Sequence, residues 1–295
     1  MPLTPGVADR TPRVLTIAGS DSGGGAGIEA DLKAFARCGV HGCAAITAIT
    51  AQNTLGVSAV HVVPEEVVLA QVRAVAEDIG VDAVKVGMLA TREIVQTVAR
   101  ALDELPAGTP LVVDPVMVAE SGAQLLDSDA QTAFVREIVP RASVLTPNVP
   151  EAQALVRHAS DGDPSPLEAP QALEALARAV VSLGAGAVVL TGGHRAEAID
   201  MFVEAHDPRE VVSIPGVRHP DGASHGSGCT HSSALAAQLA LGRSPLQAAI
   251  AARALAGEAV RRGLRDVGEG AGPVDVIGLA DIRRHETPAG SVRAR

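Results

Sequence analysis

Six short apolar runs, each only long enough for a buried strand, recur through the first two thirds of the chain and alternate with longer stretches of helical periodicity. RVLTIAG (13–19), CAAITAIT (43–50), AVKVGML (83–89), PLVVDPV (110–116), ASVLTPN (142–148) and AVVLTGG (187–193) are the strand candidates. Helical stretches begin at Ala26 and near Pro64, Thr91, Asp127, Asn148 and Pro170. This alternation builds βαβ units, and with them an α/β fold on a mainly parallel sheet. After Gly193 it weakens. IDMFVEA and REVVSIP, separated by the turn AHDP, predict a hairpin at a sheet edge, and two Ala-rich helices follow from about Gly228 and Ser244. The Pro, Gly and Asp cluster HASDGDPSPLEAP (158–170) reads as a surface loop rather than a linker. The expectation is one domain over 13–279, with a flexible N-terminus (1–12) and a frayed tail (280–295).

Composition narrows the function. Apolar residues make up 47% of the 295, enough for a real core, yet aromatics are 1% and Trp and Tyr are absent. The core must therefore be packed from Ala, Val, Leu and Ile, and a ring ligand has little to stack against. A net charge of -10 without a dense Lys or Arg run argues against a nucleic-acid partner. Cys38, Cys43 and Cys229 are an odd set without repeated spacing, which suits a reducing compartment and offers no zinc pattern. No apolar span of membrane length and no secretory h-region is present. A cytoplasmic small-molecule protein is expected.

Ligands of open α/β sheets collect at the carboxyl ends of strands, and five such ends carry unusual residues. GSDSGGGAG (19–27) is a glycine run that lets backbone approach a ligand and opens a helix with free amides. It contains a nominal dinucleotide fingerprint at Gly25, Gly27 and Ala30. No Asp or Glu lies between Asp31 and Glu65 to hold a ribose, so the NAD reading is weak. TAQNT (50–54) offers in Gln52 both a donor and an acceptor, as a heteroaromatic ring edge requires, or is simply a polar loop. In DPVM, Asp114 either holds a metal-bound water or caps a turn. In TPNVPE, Asn148 and Glu151 have the spacing of a helix capping box, although a carboxylate there also suits Mg²⁺ beside a triphosphate. ASHGSGCTHSS leads two glycines and small polar residues into a helix, an anion nest backed by the helix dipole. That field favours a thiolate at Cys229. His225 and His231, six apart, do not share a helical face for a metal and read as structural.

In their order, AGSDSGGGAGIEADLK, TAQNTLGV, KVGML, DPVM, LTPNVPEA, GGH and HGSGCT resemble the hydroxymethylpyrimidine and phosphomethylpyrimidine kinases of the ribokinase-like superfamily. The likeness spans about Arg13 to Leu279 and includes the late GPV (272–274). It implies a three-layer α/β/α sandwich and transfer of the γ-phosphoryl of ATP to a hydroxymethylpyrimidine, with a second transfer to the monophosphate, in thiamine biosynthesis. By motif it implies that Gly19, Ala26, Gln52, Met88 and Val116 surround the pyrimidine. Gly226, Ser227 and Gly228 would form the anion hole, with Cys229 at the position of the catalytic base. Asn148, Thr191, Gly193 and Arg195 would face the nucleotide, and Asp114 and Glu151 would organise Mg²⁺. The resemblance also implies a homodimer and admits a monovalent cation.

Two positions depart from the family pattern. Glu29 stands where Gln is commoner. Thr191 stands where many members have Lys, leaving Arg195 as the expected source of positive charge toward phosphate. The same Thr occurs in relatives that phosphorylate pyridoxal or pyridoxine, so a vitamin B6 kinase is the alternative, opposed by the pyrimidine-type TAQNT. A non-catalytic pyrimidine-binding protein is a further alternative, opposed by Asp114, Glu151 and the intact HGSGC turn.

Overall fold

The computed structural model describes residues 10–118, 122, 125–159, 170–192, 198–220, 222–279 and 281–282. Nine strands among them form one sheet: β1 (Arg13–Asp21), β2 (His41–Asn53), β3 (Gly56–Val62), β4 (Ala83–Val86), β5 (Leu111–Val113), β6 (Val144–Leu145), β7 (Ala187–Leu190), β8 (Asp200–Glu204) and β9 (Val211–Ile214). Their order is β3-β2-β1-β4-β5-β6-β7-β8-β9. β2, β1, β4, β5, β6 and β7 run parallel, while β3, β8 and β9 join antiparallel at the two edges. The predicted β8–β9 hairpin sits at one of those edges.

Strand alternation divides the core in two. In β7, Val188 and Leu190 face one side and Ala187 and Val189 the other, and β1 and β5 divide in the same way. The first side is covered by α2 (Glu65–Ala74), α3 (Arg92–Asp103), α4 (Ser128–Glu137), α5 (Val149–Ala159) and α6 (Pro170–Val181). The second is covered by α1 (Gly27–Arg37), α7 (Ser227–Ala240) and α8 (Pro245–Arg261). The three-layer sandwich is thus observed. Small side chains allow it without aromatics: buried Ala234, Ala236 and Ala237 of α7 and Ala248, Ala249 and Ala252 of α8 share one cluster.

Helix starts follow their capping chemistry. Thr91 and Asp127 accept hydrogen bonds from the amides of Ile94 and Ala130, and Ser244 forms a reciprocal box with Gln247. One element departs from the sequence reading. TAQNT is not a loop after β2 but the end of it, and β3 then returns as an edge strand. The residues of β3 are mostly exposed, so GVSAVHV lacks the apolar alternation that marks a half-buried strand. No helix among the described residues is long and apolar enough to cross a membrane.

Candidate active site

β2 and β4 flank β1 on opposite sides, so the chain changes winding direction there, and a cavity of about 430 Å³ opens at the carboxyl ends of the parallel strands. Gly19, Ala26, Gln52, Met88 and Val116 line it, and so do Asp114, Asn148, Glu151, Thr191 and the whole turn from Gly226 to Cys229. Thirteen of the fifteen residues singled out in the sequence therefore share one cavity. The other two, Gly193 and Arg195, lie outside the described residues.

Around Gly19 and Met88 the cavity wall is built by close backbone approach. A Cβ on Gly19 would lie 3.1 Å from Met88 Sδ, and one on Gly27 would lie 2.4 Å from the Gly19 carbonyl oxygen. Gln52 is fixed from two sides: its backbone N–H donates to Ser22 Oγ (2.8 Å), and its side-chain Oε1 accepts from Thr50 Oγ1 (3.1 Å). Glu29, the departure from the family pattern, is well used. Its two oxygens accept from Ser20 Oγ (2.6 Å) and the Asp21 amide (2.9 Å), tying α1 back to the end of β1.

Against the same glycine loop, Gly226 has φ of +81° and turns the chain into α7. A Cβ there would lie 1.7 Å from the Gly25 carbonyl oxygen, so no other residue fits. The Ser227 amide donates to Ser224 O and the Thr230 amide to Gly226 O. Of the first-turn amides, those of Gly228 and Cys229 remain for an anion.

Three charged groups meet beneath this turn. Lys85 of β4, fully buried, lies 3.0 Å from both oxygens of Asp31 and 4.0 Å from Asp114. Asp31 also accepts from Thr16 Oγ1 and Ser233 Oγ, each at 2.6 Å, while Ser232 donates to Asp114 at 2.9 Å. Burial works against the Lys85 charge, but Asp31, the Cys229 sulfur and Asp114 outweigh it and raise its pKa. The sequence reading named neither Lys85 nor Asp31 as a site residue. Their signals were a lysine inside the apolar run AVKV and an aspartate on the buried face of α1, between Ile28 and Phe35.

Burial pushes the Cys229 thiol up to about 12; Lys85 pulls against this, and Asp114 and Asp31 add to it. The expectation of a thiolate favoured by the helix start is therefore corrected. Removal from water and two nearby carboxylates outweigh the helix field, and the free protein holds a thiol.

Asn148 and Glu151 form the predicted capping box: the Asn148 amide donates to Glu151 Oε2 and the Glu151 amide to Asn148 Oδ1, both at 2.9 Å. Burial and the neighbouring Asp114 charge push Glu151 up to about 8, and burial also raises Asp114. Two carboxyls that resist ionising together are the donor set a divalent cation would relieve. Mg²⁺ takes one or two carboxylates and completes its shell with phosphate and water, so these residues fit it. No cluster of three or more His, Cys, Asp or Glu suited to a metal occurs among the described residues. Thr191 is held to Pro147, its amide 2.8 Å from that carbonyl. Asp200, His231 and Arg253 also line the cavity, with Arg253 Nε 3.5 Å from Asp200 Oδ2.

Comparison with known proteins agrees with this geometry. A family model described as phosphomethylpyrimidine kinase matches residues 21–275. A hydroxymethylpyrimidine/phosphomethylpyrimidine kinase of Rhizobium meliloti is 46% identical over 267 residues, covering 90% of this chain and 96% of that protein. Among solved structures, a phosphomethylpyrimidine kinase of Clostridium difficile is 36% identical with a TM-score of 0.72, covering 85% of this chain and all of that one. An ADP complex of Bacillus subtilis pyridoxal kinase is 32% identical with a TM-score of 0.80, covering 92% and 99%. With most of its length matched by that model and by a relative of this identity, the chain belongs to the phosphomethylpyrimidine kinase family.

Proposed function

We propose that this protein transfers the γ-phosphoryl of ATP to 4-amino-5-hydroxymethyl-2-methylpyrimidine, and then to the monophosphate, in thiamine biosynthesis. The observation that carries this reading is a single cavity lined by Gly19, Ala26, Gln52, Met88 and Val116 together with the Gly226–Cys229 turn, Asp114 and Glu151. The ring lies against Gly19, Ala26, Met88 and Val116, with the Gln52 amide on its edge. The hydroxymethyl group then points toward the turn.

Phosphoryl transfer asks mainly for positioning and charge neutralisation. The Gly228 and Cys229 amides and the α7 dipole face the transferred oxygens. Asp114 and Glu151 would hold Mg²⁺, which supplies charge neutralisation on the phosphates. Asn148 and Thr191 border the nucleotide, as do Gly193 and Arg195 in the sequence reading. A thiol near 12 is a poor resting base, so Cys229 acts late as a relay. Its sulfur takes the hydroxyl proton as the new P–O bond forms and the bond from the γ-phosphorus to the β–γ bridging oxygen breaks, releasing ADP, and its own proton passes to an oxygen of the transferred phosphoryl group.

A homodimer and a monovalent cation follow from the family likeness alone. The acidic balance, at a net charge of -10, supports the absence of a nucleic-acid partner, and three free thiols support the cytoplasm. A second reading, pyridoxal phosphorylation, is favoured by the likeness to the Bacillus subtilis pyridoxal kinase. The test is to incubate the protein with Mg-ATP and hydroxymethylpyrimidine and resolve the products. Monophosphate followed by diphosphate is expected, and binding without turnover would return the protein to a regulatory role.

A further inference from the structure

The cavity wall brings together two segments about 200 residues apart, and a side-chain pair links them at the point where Gly226 packs on Gly25. His225 Nε2 lies 3.0 Å from Asp21 Oδ2, with the two side chains 12% and 3% exposed. The same Asp21 carboxylate accepts from three amides of the ring-contact loop: Gly23 (2.8 Å), Gly25 (3.1 Å) and Ala26 (2.9 Å). Burial pushes Asp21 upward, but His225 and the Ala26 and Gly23 amides outweigh it and hold the group below the usual carboxylate range. The fit around the pair is tight. A Cβ on Gly25 would lie 2.1 Å from His225 Cδ2, and a Cβ on Gly226 1.7 Å from the Gly25 oxygen. His225 is also held by its backbone, which donates to Gly272 O (3.2 Å) and accepts from the Val274 amide (3.1 Å).

We propose that Asp21 and His225 are positioning residues that lock the ring-contact loop (19–27) to the anion turn (226–229), fixing the gap across which the phosphoryl group moves. Neither residue needs to touch the reacting atoms. Each turn keeps its own binding contacts without the lock, and the Ser233–Asp31 bond still ties α7 to α1, but the close seating of Gly226 on Gly25 loosens. Loss of the lock therefore falls on kcat and spares both KM values, because reacting groups displaced by an ångström lose about 10²-fold in rate. The proposal rests on the kinase reading above.

His225→Ala and His225→Gln test it, since the backbone bonds of His225 survive both changes and Gln offers a donor to Asp21. The expected result for His225→Ala is a kcat about 10²-fold down, with KM for pyrimidine and for ATP each within about 3-fold. His225→Gln should recover at least about a tenth of the wild-type kcat, and hydrogen exchange at the Ser227 and Thr230 amides, which bond Ser224 O and Gly226 O, should quicken in the Ala variant alone. A wild-type kcat in His225→Ala, a loss confined to KM, or unchanged exchange would overturn the proposal. Wild-type protein that turns over no pyrimidine would sink the kinase reading instead, and the exchange measurement would still decide the lock.

Discussion

Lys85→Met removes the cation beneath the active-site turn while keeping nearly the same volume. In the wild type, Lys85 Nζ lies 3.0 Å from Asp31 and 4.0 Å from Asp114, with Lys85 and Asp31 fully buried. Asp31 would keep the two hydroxyl donors from Thr16 and Ser233 but lose its counter-charge. Removing one partner of a buried ion pair costs about 3–5 kcal/mol, because the remaining charge stays out of water. For a chain of 295 residues each kcal/mol lowers Tm by about 1.6 °C, so a drop of roughly 5–8 °C is expected. With no Trp or Tyr, the assay is calorimetry or far-ultraviolet circular dichroism rather than intrinsic fluorescence. Adding Asp31→Asn removes the stranded charge and should restore more than half of the loss. A single variant within about 1 kcal/mol of wild type, or a double variant no better than the single, would refute the reasoning.

Three further outcomes follow from the site. Gly226→Ala places a Cβ on the Gly25 carbonyl at a φ of +81°, and turnover measured with saturating substrates should fall about 10²-fold as the turn is displaced. Cys229→Ser should keep measurable turnover because a hydroxyl can also relay a proton, Cys229→Ala should lose more, and KM should hold in both; equal activity in all three would leave Cys229 a packing residue. Glu151 has a folded-state pKa raised to about 8, so the folded chain binds its proton more tightly than the unfolded chain does. That contribution is full below the ordinary carboxylate range and is lost as pH rises toward 8, and Glu151→Gln should flatten this fall in Tm when Mg²⁺ and nucleotide are absent. A parallel pH profile in the variant would contradict the assignment.

Local chemistry was legible in the sequence where a feature acts through its neighbours. The strands announced themselves by apolar runs, the capping box by Asn148 and Glu151, and the turn into α7 by glycines before an Ala-rich helix. What stayed hidden depends on partners remote in sequence. Lys85 and Asp31 each stood out as a charge in an apolar setting, yet nothing local says that they pair across 54 residues. Asp21 and His225 meet across 204. The helix-start argument for Cys229 considered only its own turn, whereas burial and the carboxylates of Asp114, just after β5, and Asp31 of α1 decide the sign. β3 was missed because an exposed edge strand carries little apolar pattern.

Belonging to the family does not by itself select the ring, and the fold is shared with pyridoxal kinase. The most direct measurement is therefore kcat/KM for hydroxymethylpyrimidine and for pyridoxal, taken side by side with Mg-ATP in excess. A pocket that reads its ring through Gln52 predicts the higher value for the pyrimidine. A higher value for pyridoxal would contradict the account.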